Sequence, residues 1–162
     1  MCRTIRFHGK NGEALRKSVD VLLEERIPEL IAVDNSEKFT QWHYSICKQI
    51  VEQYEAAGIE FYMGQAQKWV NMTLKYLYVL VPDVVEPFYC FLHIPLDNYI
   101  MDIAKKQYGV PPLTTAWSRI SDYQDYLDYE QKLMEVIDEV PLNWEFKKWV
   151  ESARQQKSIK SS

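Results

Sequence analysis

Two short stretches of this chain carry side chains whose types and spacing suit chemistry. In residues 64–80, GQAQKWVNMTLKYLYVL, a helical turn of about 100° per residue places Gln67, Lys68, Asn71 and Lys75 on one narrow arc, together with Gly64 and Tyr78. Two ammonium groups supply charge and two amides supply directed donors and acceptors, a set that suits a carboxylate or a phosphate. The second stretch is His93-Ile94-Pro95-Leu96-Asp97. A helix starting at Pro95 puts His93 just ahead of free backbone N–H groups, where an anion is favoured, and Asp97 in the first turn. From there the Asp97 carboxylate can orient the His93 imidazole for moving a proton or holding a ligand. Each stretch also has a plain reading: a solvated helix edge for the first, a helix start with a structural histidine for the second.

Other groups are weaker signals. The run DYQDYLDY at 122–129 repeats Asp-Tyr at intervals of three, laying aspartates along a ridge with half-buried tyrosines behind them. That is a solvated face, or more sharply an acidic docking surface or divalent-ion site. Trp117 and the last helix's Trp144, Phe146 and Trp149 suit core or lid packing, with a homodimer contact as the sharper use. The three histidines, His8, His43 and His93, lie outside any HExxH pattern and complete no ligand set, so neither a metal nor a cofactor is expected. GxGxxG, GxxxxGK[ST] and GxSxG are all absent, which removes the common phosphate-loop and nucleophile-elbow signals. Cys2, Cys47 and Cys90 are odd in number and widely spaced, and read as reduced thiols of a cytoplasmic protein.

The elements that position these residues follow from helical periodicity. Outside its polar arc the 64–80 stretch is apolar over about two thirds of its circumference, so it is expected as the central helix of a bundle, its polar stripe forming a solvated edge or a pocket wall. Ahead of it, Leu15, Val19, Leu22, Leu23 and Ile27 mark a helix ending near Pro28, and a helix capped by Ser36 runs to Gly58. After Pro82, residues 83–92 read as a loop. A helix then runs from Pro95 to Gly109, another from a cap at Ser118 or Ser121 to about Glu139, and a last one from a cap at Asn143 into a polar tail that frays from about residue 153. Nothing reads as a strand pair or a repeat. The expectation is one all-α domain over 1–162, a bundle of about six helices.

Composition bounds the function. At 162 residues with 47% hydrophobic and 14% aromatic content, the chain can bury a sizeable core. A net charge of −4 gives no footprint for general nucleic-acid or anionic-membrane binding, though it leaves a local basic patch open. The longest apolar run, 76–82, is too short to span a bilayer, and the charged N-terminal stretch has no secretory h-region.

The run QKWVNMTLKYLYVL, followed after a loop by HIPLD, resembles a set of small uncharacterised all-α bacterial proteins that carry a QKxxNxxLKYL-type helix and a later HxPxD turn. The resemblance covers about the middle third of the chain and extends loosely to Trp117 and Tyr126. It brings no activity. It implies that Gln67, Lys68, Asn71, Lys75, His93 and Asp97 form one unit. Two uses of that unit follow. One is a binding protein that takes an anionic small molecule or a protein partner on the central helix edge and the His93 turn. The other is an enzyme on a nucleotide, nucleic acid or other phosphorylated substrate, with His93 and Asp97 moving protons.

Overall fold

The computed structural model describes Ile5 and residues 12–160, with side chains as far as Glu151. Among these residues it is 76% helical, with seven helices and no strand. They are α1 (Gly12–Arg26), α2 (Ser36–Ala56), α3 (Met63–Leu80), the single turn α4 (Pro82–Val85), α5 (Asn98–Tyr108), α6 (Tyr123–Met134) and α7 (Pro141–Lys160). Three 3-10 segments, Ile27–Ala32, Glu86–Phe91 and Trp117–Arg119, link them. The all-α bundle around one helix is therefore what the chain forms. α3 packs on α2, α4, α6 and the Trp117–Arg119 turn, and Ala66, Val70 and Leu74 anchor it in the core.

The way α3 faces differs from the sequence expectation. Gly64, Gln67 and Asn71, expected as a solvated edge or a pocket wall, point into the core; Lys75 is buried too but lines a cavity, as the pocket-wall alternative had it, while Tyr76, Val79 and Leu80 are exposed. Gly64 sits inside because nothing larger fits: a Cβ there would lie 1.7 Å from the Trp117 carbonyl oxygen. Its N–H bonds the Ile120 carbonyl at 3.0 Å, so the start of α3 is docked backbone to backbone against the 117–120 turn.

Several boundaries move for identifiable reasons. α2 is capped by Asn35, whose side chain takes the Lys38 N–H at 2.9 Å, rather than by Ser36. The 83–92 loop is mostly helical turns, because Pro82 and Pro87 each pre-set φ at the first positions of a turn. α5 begins at Asn98, not Pro95, with Asp97 as its cap, accepting the Ile100 N–H at 3.0 Å. Asp122, not a serine, caps α6, which stops at Met134. α7 starts at Pro141 and its backbone stays helical to Lys160, past the expected fraying point. At the end of α5 Gly109 adopts φ 71°, the left-handed geometry that closes a helix at low cost. The lead-in residues 1–4 and 6–11, with His8 and Cys2, lie outside the described residues.

Candidate functional site

Between the Glu86–Phe91 segment and α5, residues 92–97 form no helix or strand, yet Leu92 through Leu96 are buried. An extended segment in a core must find partners for its backbone, since an unpaired buried N–H or C=O costs about as much as a lost hydrogen bond. No strand lies beside it among the described residues, so side chains take that role. Gln67 on α3 accepts the Leu96 N–H at 3.2 Å and donates to the Leu96 carbonyl at 2.9 Å, as a neighbouring strand residue would. One turn on, Asn71 donates to the Ile94 carbonyl at 3.3 Å and to the Gln67 side-chain oxygen at 3.1 Å. Lys68 donates to the Pro95 carbonyl at 3.0 Å. From α6, Glu130 accepts the Ile94 N–H at 3.3 Å. Pro95 has no N–H to satisfy. Every backbone polar group from the Ile94 N–H to the Leu96 carbonyl is thus held by a side chain.

Gln67, Lys68 and Asn71 are accordingly brought together with the HIPLD turn, but as a clamp on its backbone. Asp97 does not orient His93. Its carboxylate caps α5 and takes the Lys68 ammonium at 2.7 Å, while the His93 ring shares a hydrogen bond of 3.1 Å with the Tyr126 hydroxyl. The earlier start expected for the helix put Asp97 within its first turn; as the cap, its side chain is committed to the helix end.

Behind the clamp lies a cluster that the sequence reading did not assemble. His43 and Cys47 on α2, His93, Asn71, and Tyr123, Tyr126 and Glu130 on α6 are all buried. The His43 and His93 rings lie 5.0 Å apart between centroids, and His43 Nδ1 meets the Tyr123 hydroxyl at 2.8 Å. Burial lowers both imidazoles, His93 to about 4, and the nearby His93 ring adds to the effect on His43. Burial raises the Glu130 carboxyl to about 8, against a smaller opposing pull from the Ile94 N–H. It also raises the Tyr126 hydroxyl and the Cys47 thiol well above their ordinary values. The cluster is therefore polar but uncharged near neutral pH. Cys47 Sγ lies 3.8 Å from the His43 ring nitrogens, yet a buried thiol of raised pKa beside a neutral imidazole is no activated nucleophile. Among the described residues no group of three His, Cys, Asp or Glu side chains is arranged to hold a metal ion.

Signals for the missed members were present but faint. Glu130 falls on the face of α6 carrying Tyr123, Tyr126 and Leu133, and Glu145 lies at apolar spacing between Leu142 and Trp149. A lone acid at apolar spacing is the mark both share.

Lys75, the last residue of the stripe, goes elsewhere. It pairs with Glu145 on α7, both side chains buried at 9% and 5% exposure. Its ammonium lies 4.6 Å from the Phe146 ring centroid and 5.9 Å from that of Trp149. Here α3 and α7 flank a cavity of about 290 Å³, open to solvent on one side and lined by Met72, Lys75, Tyr76, Val79, Phe146, Trp149 and Val150. Trp149, Tyr76 and Val79 are each 58% exposed at its mouth. Of the aromatic residues offered for lid or dimer packing, Trp144 is core, its indole N–H bonded to the Tyr108 hydroxyl at 2.9 Å, whereas Trp149 stands in solvent.

No known protein family matches the chain, and no curated protein or solved structure is significantly similar to it.

Proposed function

We propose that this chain is a binding protein and that its ligand site is the apolar cavity between α3 and α7. The observation that carries this reading is the position of Lys75: a buried ammonium on the wall of a cavity otherwise lined by apolar and aromatic side chains. Ligand sites typically combine an apolar lining with a few placed polar groups, at volumes from about 300 Å³ upward. The exposed Trp149, Tyr76 and Val79 add apolar surface of the kind that marks interaction sites. Support for an enzyme built on His93 and Asp97 is weaker, since His93 is buried and Asp97 is committed to the α5 cap and Lys68. Exposed Leu80 and Val84 favour a second use of the same end of the molecule, contact with a protein partner or another copy of this chain. A cytoplasmic setting fits the free thiols of Cys47 and Cys90. No described helix is long and apolar enough to cross a membrane.

The test is a titration of ¹⁵N-labelled protein with octanol, an apolar probe small enough for the cavity. Amide shifts confined to Tyr76, Val79, Trp149 and Val150, and abolished by Val79→Glu, are expected. Shifts spread evenly over the molecule, or none, would overturn the reading.

A further inference from the structure

We infer that the α3–α7 cavity selects an apolar anion, a carboxylate or similar group on a hydrocarbon or aromatic body, with Lys75 as the residue that reads the charge. This rests on the cavity being a ligand site and names the class of its occupant. An ammonium carries three N–H donors. Glu145 takes one, and the other two have no hydrogen-bond partner among the described residues. An ammonium on a cavity wall can give a charge-assisted hydrogen bond to an acceptor that enters the cavity. The faces of Phe146 and Trp149 lie beside the ammonium and offer only cation–π attraction.

The sign of the ligand follows from which partner reaches the cavity. Lys75 lines it and Glu145 does not. A ligand head group entering past Tyr76 and Trp149 therefore meets the ammonium first, with the carboxylate on its far side. A cation would be repelled there, and a neutral polar head would gain less than an anion from the ammonium. The rest of the lining, Met72, Val79 and Val150, can only receive an apolar body. A volume of about 290 Å³ suits a chain of about eight carbons or a small aromatic acid rather than a nucleotide.

The experiment compares octanoate, octanol and octylammonium by calorimetric titration on the wild type and on the double variant Lys75→Met/Glu145→Gln. The double change removes both charges, so neither is left buried alone. Octanoate is expected to bind the wild type at least about tenfold tighter than octanol, the yield of one charge-assisted hydrogen bond. It should lose that margin in the double variant, while octanol binds both proteins alike and octylammonium binds most weakly to the wild type. Octanol binding as well as octanoate, or octylammonium binding best, would overturn the choice of an anion and leave the cavity as a ligand site. If no probe binds and Trp149 is undisturbed, the cavity reading itself fails. The double variant's melting curve and far-ultraviolet circular dichroism show whether it is folded. Should it not fold, Met72→Glu in an intact Lys75–Glu145 background serves instead: an added carboxylate at the cavity wall must abolish the octanoate preference, and a preference that survives it refutes the inference.

Discussion

Gln67→Met isolates what the polar stripe of α3 does. Gln67 is fully buried and engages both backbone groups of Leu96, itself fully buried, at 3.2 and 2.9 Å. Methionine has nearly the same volume and flexibility, so little cavity or strain is added. What remains is an unpaired N–H and an unpaired C=O in the core, each costing about 1–3 kcal/mol, so a loss of about 4 kcal/mol is expected. Set against the 5–15 kcal/mol typical of a whole domain (about 10 kcal/mol), that is a severe loss. Urea unfolding followed by circular dichroism measures it, with an unchanged slope as the sign that the native and unfolded states are otherwise alike. Lys48→Met, on the exposed face of α2, serves as the comparison and should stay within about 0.5 kcal/mol of wild type. If Gln67→Met also stays within that margin, the stripe is not holding the 92–97 segment.

Three further outcomes follow from the same packing. Glu130, raised to about 8 in the fold from an ordinary 4.5, binds a proton that the unfolded chain has released, so it lowers stability as pH rises between those values. The two histidines, lowered in the fold, act in the opposite sense below about 6.5, leaving Glu130 to dominate from about 6.5 to 8. Wild type should lose up to about 1.4 kcal/mol per pH unit across that interval, and Glu130→Gln, which keeps an acceptor for Ile94, should flatten it; parallel profiles would show that Glu130 is ionised in the fold. Lys75→Met alone strands the buried Glu145 carboxylate and should cost about 3–5 kcal/mol, most of it recovered by adding Glu145→Gln; equal losses in single and double variants would mean the pair is not buried as described. Gly64→Ala drives a Cβ into the Trp117 carbonyl and should cost about 1–3 kcal/mol or more by thermal melting, whereas an unchanged midpoint would place the 117–120 turn elsewhere.

How far the sequence could be read depended on what each residue type reports. The central helix was legible because Val70 and Leu74 recur at helical spacing, and α3 spans 63–80 against an expected 64–80. The direction of its polar stripe was not. Gln and Asn report a need for hydrogen bonds, and periodicity does not say whether water or backbone meets it. The segment LHIPL at 92–96 held the missing half: an apolar run too short for a core helix, interrupted by a proline that pushes Ile94 toward extended geometry. The choice between Pro95 as a first helical residue and Asp97 as a cap turns on one side chain reaching the Ile100 N–H, which spacing alone leaves open. Grouping Lys68 with Asp97 needed only the loop between them. Grouping Lys75 with Glu145, or His43 with Tyr123, depends on how α7 and α6 return to the bundle, a long-range property that no local pattern carries.

Side chains of α3 and α6 replace a neighbouring strand for the buried 92–96 segment, and native-state hydrogen exchange tests this most directly. Among the described residues the amides of Ile94 and Leu96 donate to the Glu130 and Gln67 side chains alone. They should exchange with opening free energies close to those of Val70 and Leu74 in the middle of α3, and Gln67→Met should speed Leu96 far more than Val70. Exchange of Ile94 and Leu96 in the wild type as fast as that of the exposed Thr114 and Thr115 would contradict it.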